Sequence, residues 1–267
     1  LKVHVRNKVL ADDVDLETLA KGTPGMTGAD LENMANEAAL IAVRKHRDRI
    51  HMEDFEEARD KLLMGSVREE IISEYEKKIT AYHEAGHAIV AWVLPGTDPI
   101  HKISIVPRGM AMGVTQLIPK EDRHYYPRSY LLNKLCVAMG GRVAEKLVFN
   151  DLSTGAQNDI KEATSLAEKM VAQWGMSDKI GPLSLGRGEE HPFLGRELAQ
   201  PKQYSDDMAW LIDQEIRSLI IYAETTAEKI LIDNRKALDI LAETLIKEEM
   251  IQGDEVERIL RTSTEEK

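Results

Sequence analysis

Thr80-Ala81-Tyr82-His83-Glu84-Ala85-Gly86-His87-Ala88-Ile89-Val90-Ala91-Trp92-Val93 reads as one helix. Ala81, Ala85, Ala88, Ile89 and Trp92 recur at helical spacing and share a face. Pro95-Gly96 ends the run. Inside it, His83-Glu84-Ala85-Gly86-His87 is an H-E-x-x-H pattern. Residues four apart on a helix are rotated by roughly 40° and separated by roughly 6 Å along the axis. Two imidazoles so placed converge on one ion from the same side. Zinc accepts two such nitrogens with a third protein ligand and keeps one position for water. A metal in such a site lowers the pKa of water to roughly 7 and polarises a carbonyl. Glu84 need not bind the ion; it can take a proton from the water and pass it to the leaving amine. The alternative is a pair of surface histidines. Chance alone puts H-E-x-x-H in roughly one chain of this length in a hundred. A purely structural helix would also more readily carry Ala than Gly86.

Outward from this helix the pattern stays mainly helical. Lys102 to Val106 and Gly113 to Ile118 are short β-rich runs around a Pro/Gly turn, which predicts a hairpin or a small sheet. Pro127 to about Phe149 is helical, with Gly140-Gly141 in its middle. Two such glycines cost roughly 1 kcal/mol each against alanine, so another backbone is expected to pack closely there. A further helix is expected from about Ala156 to Trp174, with Ile160, Ala163, Ala167, Met170, Val171 and Trp174 in phase. Residues 175–203 are rich in Gly and Pro and read as a long loop. From Ser205 onward the pattern is helical, broken at Asp233-Asn234 and Gly253. Before the H-E-x-x-H helix, residues 1–64 form a small helical unit. There Thr27 and Asp30 make a capping pair, and Leu31, Met34, Ala35, Ala38, Ala39, Ala42 and Val43 follow at helical spacing. Gly65-Ser66 marks the boundary, leaving 65–267 as the second unit. The fold class expected is mainly α, with a small helical unit followed by a mostly helical domain carrying a short sheet.

Composition narrows the function. Of 267 residues, 43% are hydrophobic, enough to build cores. The formal net charge of -11 argues against nucleic-acid binding and against a polybasic membrane-surface role. Cys136 is the one cysteine, so no intrachain disulfide forms; it sits in the apolar run 135–139 and reads as a core residue. No run of about 18 apolar residues is present to span a membrane. The chain begins at Leu1 rather than Met, so it is expected to be a soluble piece of a longer protein. His101, His124 and His191 read as solvated histidines in or near loops. The stretch after His87 lacks the third histidine and the glycine of the extended metzincin pattern.

Residues 80–88 resemble the zinc helix of FtsH-type membrane-anchored AAA proteases. Ile105-Val106-Pro107-Arg108-Gly109, Met139-Gly140-Gly141-Arg142-Val143-Ala144-Glu145 and residues 152–160 (Leu-Ser-Thr-Gly-Ala-Gln-Asn-Asp-Ile) are similar to later motifs of that family, as is Trp174-Gly175-Met176-Ser177. Residues 25–31 and Asn36-Glu37-Ala38-Ala39 resemble the helical lid of AAA ATPases, where backbone around Gly28 and Ala29 lies near the adenine of bound nucleotide. The resemblance implies Zn2+ as cofactor. It implies ATP-dependent, processive degradation of unfolded or membrane proteins, as in protein quality control, by a homo-hexamer. It also implies anchoring through membrane segments absent from this chain, with these domains on the cytoplasmic side. No G-x-x-x-x-G-K-[ST] loop is present, so ATP binding to phosphate-binding residues is expected only in the full-length protein.

Three downstream carboxylates compete for the third ligand position: Glu145, Asp159 and Glu162. Asp159 follows the helix-start signal Ser153-Thr154-Gly155, and the first turn of a helix favours the charged carboxylate that a metal bond requires. The resemblance assigns the ligand to Asp159, beside His83 and His87, with Glu84 as catalytic base. An extended substrate is expected to add its backbone along Gly113, Val114, Thr115, Gln116 and Leu117, a mode that suits low sequence specificity. Two other functions compete. One is a non-catalytic ring-assembly module with a structural or inactive metal site, against which Glu84 and the lack of four ligands argue. The other is a metal hydrolase of small molecules.

Overall fold

The computed structural model describes residues 1–68, 72–109, 111–119, 123–185 and 204–265. In chain order these form α1 (Leu16–Lys21), α2 (Gly28–Arg44), α3 (Met52–Met64), α4 (Glu74–Val93), β1 (Ile100–Ser104), β2 (Val114–Leu117) and α5 (Arg128–Phe149). Then come α6 (Gln157–Glu168), α7 (Asp206–Asp233), α8 (Arg235–Glu248), β3 (Met250–Gln252) and α9 (Gly253–Glu265). The fold is mainly α with one small antiparallel sheet, the class the periodicity predicts.

Local chemistry sets the helix starts. Thr27 and Asp30 exchange hydrogen bonds as a capping box at α2, and Ser73 with Glu76 does the same at α4. Asn150, with φ of 52°, stops α5 in the left-handed region. The helix expected over 156–174 is not uniform. A 3-10 turn, Thr154–Ala156, precedes α6, and a π-helical turn, Lys169–Gln173, follows it. No single 3.6-residue phase runs through these three geometries. Ala163, Ala167, Met170 and Val171 are buried as expected, but Ile160 and Trp174 are 37% and 46% exposed. The loop expected over 175–203 is described only to Leu185; residues 186–203, His191 among them, lie outside the described residues.

The sheet order is β2-β1-β3. Ile103 on β1 stands opposite Thr115 on β2 and opposite Ile251 on β3, antiparallel on both sides. β3 lies inside the stretch expected to be helical; three residues between two helices are too few to show alternation. Among the described residues β2 is an edge strand, with β1 on one side only.

Among the described residues three apolar clusters are present, the smallest built on Val171, Ile180 and Ile212. Leu19, Met34, Ala38, Ile41, Phe55 and Ala58 pack α1, α2 and α3 together. The largest core joins α4, α5, α7, α8, α9 and the sheet through residues such as Ile89, Ile103, Leu135, Leu231 and Leu241. Cys136 belongs to it, and burial pushes its thiol up to about 11.

Between the α1–α3 core and the largest core lies a buried charged seam. Lys102 of β1 donates to Asp60 of α3 at 2.7 Å, and Arg59 of α3 donates to the Gln116 side chain of β2 at 3.2 Å. Arg59 and Lys102 are 1% and 2% exposed. Desolvation offsets much of the attraction in such pairs, so the seam sets the orientation of α3 on the sheet more than it adds stability. His101 corrects the expectation of a solvated loop histidine: it sits on β1, half-buried, with Nε2 3.2 Å from Arg59 and 3.5 Å from Glu56. At the boundary, the Gly109 amide donates to the Ser66 carbonyl and that of Arg68 to the Pro107 carbonyl.

α4 and α5 meet backbone to backbone. A Cβ placed on Gly86 would lie 2.4 Å from the Gly140 carbonyl oxygen, and one on Gly140 would lie 2.7 Å from the Gly86 oxygen. The neighbouring Gly141 abuts the His83 ring, where a Cβ would come within 2.5 Å. Gly140-Gly141 therefore does receive another backbone, that of the H-E-x-x-H helix. Gly86→Ala is expected to destabilise the protein by about 1–3 kcal/mol, although alanine is intrinsically the better helix former by about 1 kcal/mol. Urea unfolding measures this; a raised midpoint would show that helix propensity outweighs the contact.

Candidate metal centre

His83 and His87 lie one turn apart on α4, both buried. Their Nε2 atoms are 3.0 Å apart. Asp159 reaches them from the first turn of α6, with Oδ2 3.1 Å from His83 Nε2 and 3.6 Å from His87 Nε2. The ligand-type atoms of these three residues fall within 4.8 Å of one another. Ser153 starts the approach: its Oγ accepts the Gly155 amide and shapes the 3-10 turn that leads into α6.

The remaining imidazole nitrogens decide the chemistry of the cluster. His87 Nδ1 is 2.7 Å from the Val137 carbonyl of α5. A carbonyl can only accept, so Nδ1 carries the proton and Nε2 presents a lone pair. His83 Nδ1 donates to Glu145 Oε1 at 2.6 Å, and Glu145 Oε2 accepts the Ser153 amide at 3.0 Å. Both Nε2 atoms thus face each other and a carboxylate oxygen, an arrangement that calls for a positive charge between them, a shared proton or a metal ion. The 3.0–3.6 Å spacings bracket the edge, about 3.3 Å, of a tetrahedron with metal bonds of about 2.0–2.1 Å. The residues present fit a zinc ion.

Electrostatics point the same way. Burial lowers the pKa of His83, but bonds to Asp159 and Glu145 outweigh it and raise the value to about 10. Burial raises that of Asp159, yet its bonds to His83 and His87 hold it well below the usual carboxylate range. Glu145 is likewise held low by His83 and Ser153 against the effect of burial. The pocket favours positive charge at its centre.

Glu84 is buried beside the cluster, and the Thr115 hydroxyl donates to its Oε2 at 2.7 Å. Gly113 lies against the same side chain, where a Cβ would come within 2.7 Å of Oε1. Of the expected substrate strand, Gly113 and Thr115 touch Glu84, Leu117 packs on the main core, Gln116 meets Arg59 and Val114 is half-buried. Gly28 and Ala29 are exposed at the start of α2, and no described atom lies within 4 Å of a Cβ placed on Gly28. Glu162 points away from the cluster, exposed and bonded to Asn158. Sequence reasoning weighed Glu145 as a ligand and missed its place on the far nitrogen of His83. It also missed the Val137 carbonyl and the Ser153 amide, main-chain groups that no residue type reveals.

Residues 70–259 match Peptidase family M41, and residues 13–57 match the AAA+ lid domain. The chain is 58% identical over 260 residues to an ATP-dependent zinc metalloprotease FtsH of Pelobacter propionicus, covering 97% of this chain and 42% of that protein. A protein of the same name from Syntrophotalea carbinolica is 54% identical, with 98% and 40% covered. One from Thermotoga maritima is 49% identical, with 97% and 43% covered. The chain thus spans about two fifths of the length of these relatives. With an H-E-x-x-H helix, a converging aspartate and a family match over most of its length, this chain belongs to peptidase family M41, the FtsH-type zinc metalloproteases.

Proposed function

We propose that His83 Nε2, His87 Nε2 and Asp159 Oδ2 hold a zinc ion, and that Glu84 is the general base of peptide-bond hydrolysis. The convergence of two Nε2 atoms and a carboxylate oxygen, with both Nδ1 atoms already committed, carries this assignment. When bound, zinc supplies a Lewis acid that acidifies water and polarises the scissile carbonyl. Val137 and Glu145 orient the two imidazoles and keep their Nε2 atoms free. The Glu84 carboxylate takes a proton from the attacking water and hands it to the leaving amine. A structural zinc site usually has four protein ligands, often cysteines; Cys136 is buried in the core, which favours the catalytic reading.

The substrate main chain adds to the free edge of β2, along 113–117, next to Glu84. In the whole protein, 1–64 serves as the lid of an AAA module, with Gly28 and Ala29 on its nucleotide side, and 65–267 as the protease. ATP-driven threading of unfolded or membrane proteins into a membrane-anchored six-subunit ring is the activity this supports. No helix among the described residues is long and apolar enough to cross a membrane. Trp210, Ile221, Tyr222 and Ile232 of α7 are exposed apolar residues suited to contacts between copies. Light scattering should show an oligomer; a monomer at high protein concentration would count against the ring.

Three variants test the centre by metal analysis and peptide hydrolysis. Glu84→Gln should keep its zinc and lose about 10²–10⁴-fold in kcat. Asp159→Asn should lose most zinc and all measurable activity. Glu145→Gln should still bind zinc, about 10–100-fold more weakly. Zinc lost from Glu145→Gln but retained by Asp159→Asn would reverse the ligand assignment.

A complex with a peptidic hydroxamate tests the substrate strand. Its main chain should hydrogen-bond to the backbone of 113–117. An inhibitor bound at the histidines with no such contact would rule the strand out.

A further inference from the structure

The Thr115 hydroxyl lies 2.7 Å from Glu84 Oε2 and 3.0 Å from the Glu84 backbone oxygen. It has one proton to give, and the carboxylate is the stronger acceptor. Gly113, two residues earlier, leaves room for the rest of the Glu84 side chain: a Cβ there would meet Oε1 at 2.7 Å and Cγ at 2.8 Å. The same point is 2.9 Å from the Thr80 methyl, one turn before Glu84 on α4. Glu84 is thus confined between α4 and β2, with Oε2 held by a hydroxyl and Oε1 beside a glycine. Among the described residues, Thr115 is the side chain that hydrogen-bonds this carboxylate. It is carried by the edge strand, paired on its inner side to Ile103.

We propose that Thr115 is a positioning residue for the general base. Its hydroxyl occupies Oε2 and leaves the lone pairs of Oε1 to receive the proton. Because the hydroxyl is fixed to β2, the strand that takes the substrate main chain also sets the position of the carboxylate. Seating of the peptide and alignment of the base become one event. An unheld glutamate rotates about three side-chain bonds, and misplacement by about 1 Å costs up to about 100-fold in rate. This inference rests on Glu84 as the base and on β2 as the substrate strand.

The test compares Thr115→Val, Thr115→Ser and Glu84→Gln in zinc content, thermal unfolding, and kcat and KM for a short peptide. Valine matches threonine in shape and strand preference but lacks the donor; serine keeps it. Thr115→Val should hold its zinc and melt near wild type. Its kcat should fall roughly 10- to 100-fold, the loss of one hydrogen bond to a charged group, with KM within about twofold. Thr115→Ser should recover most of kcat. With Glu84→Gln inactive, wild-type kcat in Thr115→Val overturns this inference alone. So does a serine variant as slow as the valine one, or a change confined to KM. Should Glu84→Gln cleave at the wild-type rate, the base assignment itself fails and takes this inference with it.

Discussion

The α4 and α5 backbones touch at Gly86 and Gly140, and the geometry of the site follows from that contact. Helices usually pack 8–10 Å apart because side chains separate them. Two facing glycines remove that layer. The approach brings the Val137 carbonyl within hydrogen-bonding distance of His87 Nδ1 and the Glu145 carboxylate within reach of His83 Nδ1. Gly141 supplies the space into which the His83 ring fits. A side chain at any of these positions would push the imidazoles away from the groups that choose their tautomer. The local cost of glycine in two helices is therefore repaid in tertiary geometry.

Around that contact the site is assembled from three directions. α4 supplies both histidines and Glu84, α5 supplies the groups that orient the histidines, and α6 brings Asp159 in its first turn. The sheet closes the fourth side, with Thr115 and Gly113 against Glu84. The sheet is in turn tied to α3 through Lys102, Asp60, Arg59 and Gln116, so the small N-terminal core and the strand beside Glu84 share one buried polar seam. In a chain whose N-terminal part matches an AAA+ lid, that seam lies directly between the lid helices and the candidate substrate strand.

Much of this was legible in the residues. H-E-x-x-H on a helical stretch specifies two imidazoles on one side and an acid beside them, because the four-residue spacing and the helical rise are local properties. Helix extents came through for α2 and α5, whereas α4 begins at Glu74, ahead of the stretch read from Thr80. The close approach at Gly140-Gly141 was readable because such a pair has no local advantage. Short or mixed elements were not: β3 is three residues long, and the 3-10 and π turns around α6 break the phase that Ile160 and Trp174 were expected to share.

Sequence by itself determined the helices, the histidine pair with its acid, and a family resemblance that points to Asp159 among three downstream carboxylates. Only tertiary structure decided which carboxylate faces which nitrogen. Glu145 and Asp159 are 14 residues apart and chemically alike, yet one meets Nδ1 of His83 and the other meets Nε2. The difference lies in the direction from which α5 and α6 reach α4, and that is set by long-range packing. The same holds for Thr115 and Val137. A threonine in a strand and the carbonyl of a valine carry no mark of function until the fold places one against Glu84 and the other against His87.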